Sequence, residues 1–317
     1  MRRWPGVALA AALSGCAALA PPHPETFSFA VLGDAPYNER EEVEFSAMIG
    51  RINREALAFV LHVGDFKGGG ACSDELYAKR KAQFDTFDAA LIYTPGDNEW
   101  TDCRRRDMGV GAPLERLARL REVFFADRFS HGRVRLATDA QDQCLAGAPA
   151  GCGCAAYPEN RSWEHARVRF VTLNVPGSDN NVGFDTASDA EAVCRNAANA
   201  KWLERAVAAA QAPGVRALIV AIQANPWDSR KAGVYRDFLA QVEAIPARLR
   251  KPVLFVHGDT HVYRVDTPVK DSLGNPVIDI TRLEVYGSPF VGWARVTVDP
   301  DDPLVFSVRP SLQGVAH

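Results

Sequence analysis

Length, composition and charge restrict the classes of protein to which this chain can belong. The chain has 317 residues, of which 47% are hydrophobic and 24% charged, enough apolar material for a sizeable buried core. Its formal net charge is only -3 at pH 7. Because a nucleic-acid-binding protein needs a basic surface that follows the phosphates, we expect no nucleic-acid partner and favour a small substrate.

The N-terminus has the features of an export signal. Two arginines precede an apolar stretch, residues 7–13, that is too short to span a bilayer. The LSGC run that ends at Cys16 resembles the bacterial lipobox, which predicts lipid attachment to Cys16. Ordinary cleavage after Ala20 is the alternative. Residues 1–20 therefore predict export to the periplasm or cell envelope, with a membrane anchor if the lipobox is used.

The cysteines indicate disulfides. Six remain after the signal, an even number in a compartment that permits bridges: Cys72, Cys103, Cys144, Cys152, Cys154 and Cys194. A zinc ribbon needs paired CxxC spacings, which this chain lacks. Because Cys72 and Cys103 each follow a strand-end motif, we predict a disulfide between them, with the other four cysteines paired among themselves.

Apolar runs of strand length alternate with helical patterns along the chain. The runs at 26–34, 56–65 and 90–97 each end at Gly-Asp. The stretches between them have apolar residues at helical spacing: Val43, Phe45, Met48, Ile49 and Ile52 in the first, and Leu76, Tyr77, Phe84 and Phe87 in the second.

The second half continues the alternation. Strand-like runs cover 167–177, 216–226 and 251–261, with predicted helices at 189–211 and 235–249, and the C-terminal tail alternates in β fashion. We predict one α/β domain over 26–317, with two packed mixed β-sheets, helices outside them and a Cys-rich insertion near 138–160.

Gly-Asp occurs at the end of four predicted strands, with the carboxylates of Asp34, Asp65, Asp97 and Asp259. Ligands bind at that edge of open α/β sheets, and glycine lets the chain turn sharply there. Four carboxylates that meet at one edge repel one another unless a cation lies among them. The pattern therefore predicts divalent metal.

Five motifs in order, GDAPY, GDFKG, GDNEW, AIQANPW and GDTH, resemble those of the calcineurin-like metallophosphoesterase family. The resemblance extends from Phe27 to about Asp299. It implies a metallophosphoesterase-like β-sandwich that holds two metals beneath a phosphate. The separation of Asp34, Asp65 and Asp97 agrees, since each interval has the length of one strand-helix-strand unit.

The resemblance also implies a ligand set. Asp34, Asp65 and His261 would hold the first metal, with Asp65 bridging to a second metal held by Asp97, Asp259 and Gln223. The family has histidines where this chain has Pro36 and Asn98. Because oxygen donors replace nitrogen donors, we expect Mn, Mg, Ca or Fe rather than Zn.

Other candidates concern the substrate. Asn98 can donate a hydrogen bond to a phosphate oxygen but cannot protonate a leaving group. His257 is a catalytic candidate, with a role as a hydrogen-bonded core residue as the alternative. Lys67 and Asn225 are candidate substrate contacts; the alternatives are an ordinary exposed lysine and a loop hydrogen bond. Gln223 has the same alternative of loop hydrogen bonding.

Three functions are compatible with the sequence. The first is a metal-dependent phosphoesterase outside the cytoplasm that hydrolyses a small phosphate mono- or diester. The second is a catalytically degenerate domain of the same fold that keeps a metal or a ligand. A disulfide-rich binding module is third, because it treats the ordered Gly-Asp series as coincidence. The acidic cluster favours the first.

Overall fold

The described part of the chain consists of residues 25–109, 111–143, 147–228, 230–231 and 233–312 of a computed structural model. The predicted export signal and Cys16 lie outside these residues. None of the described helices is long and apolar enough to cross a membrane.

Twelve strands and seven helices lie within the described ranges. The strands are β1 (Phe27–Leu32), β2 (Phe59–His62), β3 (Ala90–Tyr93), β4 (Asp139–Gln141), β5 (Tyr157–His165), β6 (Val168–Thr172), β7 (Ala217–Ala221), β8 (Val253–His257), β9 (Arg264–Asp266), β10 (Ile280–Glu284), β11 (Gly292–Val298) and β12 (Phe306–Leu312). The helices are α1 (Glu39–Ile52), α2 (Asp74–Phe84), α3 (Pro113–Phe124), α4 (Gly177–Asn180), α5 (Thr186–Ala210), α6 (Arg236–Glu243) and α7 (Ile245–Leu249).

The strands form two mixed sheets. The five-stranded sheet has the order β12-β11-β1-β2-β3, in which β1, β2 and β3 are parallel. The seven-stranded sheet has the order β4-β5-β6-β7-β8-β10-β9, in which β6, β7, β8 and β10 are parallel. Parallel neighbours point their carboxyl ends toward the same edge of a sheet, so each sheet gathers several strand ends there.

The two sheets pack face to face with helices outside. In β1, Phe29 and Val31 belong to the core between the sheets, whereas Ala30 and Leu32 pack against the core beside α1, α2 and α3. This division follows from the two-residue period of a strand. Strands buried on both faces read as continuous apolar runs, which is the pattern seen in the sequence.

The predicted helices agree with the structure except at three points. Phe87, assigned to the second helical pattern, is buried but lies beyond the end of α2 at Phe84. Of the five apolar positions predicted for α1, four are buried, but Val43 is 72% exposed. The predicted helix at 235–249 is two helices, α6 and α7, and Pro246 lies in the first turn of α7. Proline has no N–H to donate and is favoured in a first turn, so a new helix begins at this point.

Candidate metal and phosphate site

The four Gly-Asp aspartates lie together at the carboxyl ends of the strands. Asp34, Asp65 and Asp97 follow β1, β2 and β3, and Asp259 follows β8 of the other sheet. A hydrogen bond from the Asp259 N–H to Asp34 Oδ1, 2.9 Å long, joins the two sheets at this edge. The convergence that the sequence predicted is therefore present.

Glycines allow the carboxylates to approach the backbone closely. A Cβ added to Gly258 would lie 1.9 Å from Asp34 Oδ2, and one added to Gly96 would lie 2.0 Å from Asp65 Oδ1. No side chain fits at such distances. The aspartates themselves have positive φ angles of 51° at Asp34, 53° at Asp65 and 76° at Asp259. Non-glycine residues seldom adopt this conformation, and such strain concentrates at functional sites.

Burial and mutual repulsion make these acids unusually weak. Burial, followed by the charge of Asp97, raises the pKa of Asp65 well above its ordinary value. Burial is also the largest cause for Asp34, whose pKa is raised further by the charge of Asp259. The pKa of Asp259 is raised to about 7 by burial and then by Asp97. The cluster therefore favours either protons or a bound cation.

Gln223 lies between two of the aspartates. Its Nε2 donates to Asp65 Oδ2 over 3.1 Å and to Asp97 Oδ1 over 2.9 Å. Its Oε1 accepts a hydrogen bond from the Gly177 N–H at 2.5 Å. Gln223 thus reaches the site predicted for it, but it presents N–H groups to the carboxylates.

The turn α4 was not recognised from the sequence as part of the site. Its residues Ser178, Asp179 and Asn180 have φ angles of 44°, 55° and 55°, so the turn is left-handed. The Ser178 hydroxyl donates to Asp97 Oδ2 over 2.6 Å. A Cβ added to Gly177 would lie 2.6 Å from Asp259 Oδ1 and 2.9 Å from Asp97 Oδ1. The Gly-Ser pair was the available signal, but only the tertiary structure brings it here.

Arg195 of α5 supports this left-handed turn. Its guanidinium donates to the Asn174 carbonyl, to both the backbone and side-chain oxygens of Asn180, and to Glu191. The side chain is fully buried and stacks over the Trp100 ring. Left-handed backbone costs about 1–2 kcal/mol per non-glycine residue, and these charge-assisted bonds offset that cost.

Tyr37 is a second residue that the sequence did not single out, although it closes the GDAPY motif. Its hydroxyl lies 3.0 Å from Asp65 Oδ2 and 3.2 Å from His261 Nε2, and it accepts a hydrogen bond from Asn98 Nδ2 at 2.9 Å. The Tyr37 N–H donates to Glu41 Oε2 in the first turn of α1. The helix start therefore fixes where the hydroxyl enters the site.

Asn98 is placed beside the predicted bridging carboxylate. Its Nδ2 donates to Asp65 Oδ2 and its backbone N–H to Asp65 Oδ1, both over 3.0 Å. The amide is therefore at the site, where it can donate a hydrogen bond to an oxygen of a bound ligand.

His261 presents one ring nitrogen to the cluster. Its Nδ1 lies 2.7 Å from the carbonyl oxygen of Ser288, which accepts only if Nδ1 carries the proton. In the neutral ring Nε2 then carries the lone pair, and it lies 3.6 Å from Asp34 Oδ1 and 3.2 Å from the Tyr37 hydroxyl. A carbonyl that orients a histidine in this way is typical of metal-binding imidazoles.

His257 does not join the aspartates, and the expected catalytic role is not supported. The ring is fully buried, its Nδ1 lies 2.8 Å from the Gly258 carbonyl oxygen, and it packs against Trp227 and Phe255. Burial lowers the pKa of His257 to about 3. Because side chains alternate along β8, the ring shares the Phe255 face on the helix side of the sheet.

Lys67 is also not placed as expected, because its ammonium group is buried. The Nζ atom donates to the carbonyl oxygens of Gly68 and Asn98 and contacts the Met108 sulfur. These contacts occupy the N–H donors of the Lys67 ammonium that would otherwise bind a phosphate. Lys67 thus joins the loops that follow β2 and β3.

Asn225 lies at the border between the cluster and a cavity. Its N–H donates to Asp259 Oδ2 over 3.1 Å, and its Nδ2 donates to Thr260 Oγ1 over 3.0 Å. It lines a cavity of about 630 Å³ together with Trp227, Arg230 and Arg264. Its predicted contact with substrate stays a prediction, and the position gives it access to a ligand.

A disulfide joins Cys72 and Cys103, the pair expected from the sequence, with their Cα atoms 5.8 Å apart. A second disulfide joins Cys152 of the predicted insertion to Cys194 in α5. Cys154 is also disulfide-bonded. The first bridge connects the loop after β2 to the 3-10 helix Thr101–Arg104 after β3, so it braces two of the loops that carry site residues.

The residues present fit a divalent cation by their chemistry. Among the described residues, Asp34 Oδ2 is buried without a hydrogen-bond partner, and His261 Nε2, a nitrogen that binds metals when the ring is neutral, faces the same cluster. Most other carboxylate oxygens of the cluster accept hydrogen bonds from amide, hydroxyl or backbone N–H groups. As arranged here, no group of three or more His, Cys, Asp or Glu side chains in the described ranges is placed to hold a metal ion, so the fit lies in the kinds of donor present and not in their present positions.

Comparison with known proteins gives a match in structure alone. No protein-family model and no curated protein sequence matches the chain. Among solved structures, it is similar to a dimetal phosphatase from Danio rerio, with 12% identity over 90% of this chain and 96% of that chain and a TM-score of 0.50. The chain shares its fold with that phosphatase.

A second solved structure is a protein serine/threonine phosphatase from Saccharomyces cerevisiae, described as similar to human phosphatase PP5. It has 11% identity over 93% of this chain and 82% of that chain, with a TM-score of 0.35.

At 12% identity the likeness to the Danio rerio protein shows the fold. The predicted class, α/β with two packed mixed sheets flanked by helices, is confirmed.

Proposed function

We propose that the protein is a metal-dependent phosphoesterase that hydrolyses a small phosphate mono- or diester. The observation that carries the proposal is the convergence of Asp34, Asp65, Asp97 and Asp259 with Nε2 of His261. Such a cluster costs free energy unless a cation or protons balance it. The fold shared with a dimetal phosphatase is compatible with this function.

The mechanism assigns roles to residues of this chain. Asp34, Asp65, Asp259 and His261 would hold a divalent cation; such an ion supplies positive charge to a phosphoryl oxygen and makes water more acidic. Asn98 Nδ2, now shared between Asp65 and the Tyr37 hydroxyl, would donate to a phosphoryl oxygen. Neither Asn98 nor the buried His257 can protonate a leaving group, which favours substrates with good leaving groups.

We propose a site of action outside the cytoplasm. The N-terminal signal and the lipobox-like run ending at Cys16 motivate the proposal, and the two disulfides at Cys72–Cys103 and Cys152–Cys194 are compatible with it. Recovery of the protein with the cytoplasmic fraction of its cells would contradict export.

The test of function is an assay with a matched variant. We expect the purified protein to hydrolyse a chromogenic phosphomonoester or diester with Mn²⁺, Mg²⁺ or Ca²⁺ and to lose activity in EDTA. Asp65→Asn should lower both metal affinity and turnover at least 100-fold, about 3 kcal/mol, because the central carboxylate loses its charge. Asp88→Asn, which changes an exposed carboxylate paired with Arg133, should leave both unchanged.

The alternative function is a degenerate domain of the same fold, and Asn98 is the observation that favours it, since an amide cannot act as an acid. Metal bound by the wild type without turnover of either ester would support that alternative. A wild-type protein with neither metal nor turnover would exclude the phosphoesterase and leave only a ligand-binding form of the alternative.

A further inference from the structure

The family resemblance implies two cations, but the space between Asp65 and Asp97 is already filled. The Gln223 side chain is fully buried, and its Nε2 lies 3.1 Å from Asp65 Oδ2 and 2.9 Å from Asp97 Oδ1. These are the two carboxylates that a second cation would join. An amide N–H₂ group has donors but no lone pair available to a metal.

The orientation of the Gln223 amide is fixed by its neighbours. Its Oε1 accepts from the Gly177 N–H at 2.5 Å. A flipped amide would direct N–H groups at that N–H and a carbonyl oxygen at two carboxylate oxygens, so all three contacts would become repulsive. The nitrogen therefore faces the carboxylates.

The Gly177 N–H cannot easily give way, because its turn is held on both sides. The Ser178 hydroxyl donates to Asp97 Oδ2 over 2.6 Å. Arg195 binds both the backbone and side-chain oxygens of Asn180 at the end of the turn. A Cβ at Gly177 would lie 2.6 Å from Asp259 Oδ1, which shows how closely the turn packs on the cluster.

The opposite side of the cluster is different. Asp34 is fully buried, and its Oδ2 has no hydrogen-bond partner among the described residues. His261 Nε2 lies 3.6 Å from Asp34 Oδ1 and 3.2 Å from the Tyr37 hydroxyl, and in the neutral ring it carries the lone pair because Nδ1 donates to Ser288. Here a buried carboxylate oxygen, Asp34 Oδ2, has no partner and is available to a cation, whereas Asp65 Oδ2 and Asp97 Oδ1 are occupied by Gln223.

We infer that each chain binds a single divalent cation, on the side of Asp34 and His261, and that the Gln223 amide stands in place of a second ion. The inference concerns the site on which the proposed function rests, but it is a statement about stoichiometry and holds whether or not the protein turns over a phosphoester.

The test replaces the amide by a carboxylate of nearly the same shape. Gln223→Glu keeps an oxygen for the Gly177 N–H and presents a second oxygen to the space between Asp65 and Asp97. We expect calorimetric titration and elemental analysis to give one Mn²⁺ per wild-type chain and two per Gln223→Glu chain. Electron paramagnetic resonance should show an isolated Mn²⁺ in the wild type and a coupled pair in the variant.

The matched control is Gln141→Glu. Gln141 is also buried, and its Nε2 donates to the Ala198 carbonyl oxygen rather than to the cluster. Its substitution should leave the stoichiometry at one. Two ions or none in the wild type would overturn the inference, as would a folded Gln223→Glu protein that still binds one.

The outcomes separate this inference from the proposed function. A wild-type protein with one ion and no hydrolysis would refute the phosphoesterase and support the single-cation site. Hydrolysis with two ions in the wild type would do the reverse. If Gln223→Glu does not fold, the wild-type stoichiometry and its Mn²⁺ spectrum decide the question.

Discussion

At the scale of single residues, Glu99 supports the site without belonging to the residues proposed to bind a cation. Its Oε1 accepts from the Asp65 N–H at 3.1 Å, the Gly96 N–H at 2.7 Å and the Tyr93 hydroxyl at 2.7 Å. Both N–H groups belong to Gly-Asp turns, so one carboxylate oxygen sets the positions of two loops. The side chain is fully buried, and burial raises the pKa of Glu99.

This arrangement predicts different effects for two substitutions. Glu99→Gln keeps a carbonyl oxygen for the three donors and should lower the free energy of unfolding by about 1 kcal/mol. Glu99→Ala leaves three buried donors without a partner and should cost about 3 kcal/mol or more. Urea denaturation of both variants measures the difference. Equal losses would show that the three hydrogen bonds do not carry the effect.

Residue by residue, the sequence predicted the aspartates better than their partners. Asp34, Asp65 and Asp259 were recognised because Gly-Asp at a strand end is a local pattern. The roles of Tyr37 and Ser178 depend on contacts between elements far apart in the chain, which no local pattern records. His257 would share the face of Asp259 if the strand stayed extended, but β8 ends at His257 and Asp259 has a φ of 76°, so the two side chains separate.

At the scale of elements, the loops after β2 and β3 are connected by the Cys72–Cys103 disulfide. The two cysteines are 31 residues apart, and both sulfur atoms lie near the Asn98 carbonyl oxygen, at 3.6 and 4.0 Å. Asn98 follows Asp97 directly in the chain. The bridge therefore constrains the unfolded chain and also positions a loop of the candidate site.

The second bridge, between Cys152 and Cys194, provides a matched control, with a sequence separation of 42. Cys72→Ser with Cys103→Ser should cost about 3–4 kcal/mol of stability, and Cys152→Ser with Cys194→Ser a similar amount, because the closed loops are comparable. Only the first pair should also weaken Mn²⁺ affinity, by several fold. Thermal denaturation and calorimetry measure the two effects, and equal weakening by both pairs would exclude local positioning.

Among the elements, the strands formed by apolar runs were the most predictable. The positions of β1, β2, β3 and β8 followed from apolar runs that end in Gly-Asp. The left-handed turn α4 was missed because three consecutive residues with positive φ are unfavourable locally and depend on contacts with Arg195 of the following helix, α5.

At the scale of the whole molecule, the layered fold followed from the order of strand and helix patterns, since strands buried on both faces require helices outside the sheets. The order of these patterns along the chain did not show which strands belong to which sheet. β10 joins the seven-stranded sheet, whereas β11 crosses to pair with β1 in the other. The C-terminal tail therefore adds strands to both sheets. Which strand joins which sheet depends on tertiary packing and cannot be read from local sequence.

The electrostatics of the cluster couple the stability of the whole molecule to pH and metal. An aspartate in the unfolded chain has a pKa of about 3.9, whereas burial and the charge of Asp97 raise the pKa of Asp259 to about 7. Between these values the folded protein keeps a proton that the unfolded chain has lost. The contribution of Asp259 is therefore fully present below about pH 4 and is lost as the pH rises to about 7.

The asparagine of Asp259→Asn does not titrate. Without metal, the Tm of this variant minus the Tm of the wild type should therefore increase by roughly 5 °C between pH 4 and 8. Mn²⁺ at pH 8 should raise the Tm of the wild type more than that of the variant, because the cation binds the ionised carboxylate.

Asp228→Asn is the control: hydrogen bonds from Arg230 lower the pKa of Asp228, so its Tm difference should move slightly in the opposite direction. Scanning fluorimetry in EDTA and in Mn²⁺ measures both variants; a Tm difference for Asp259→Asn that stays constant with pH would show that this carboxyl group does not hold its proton in the folded protein.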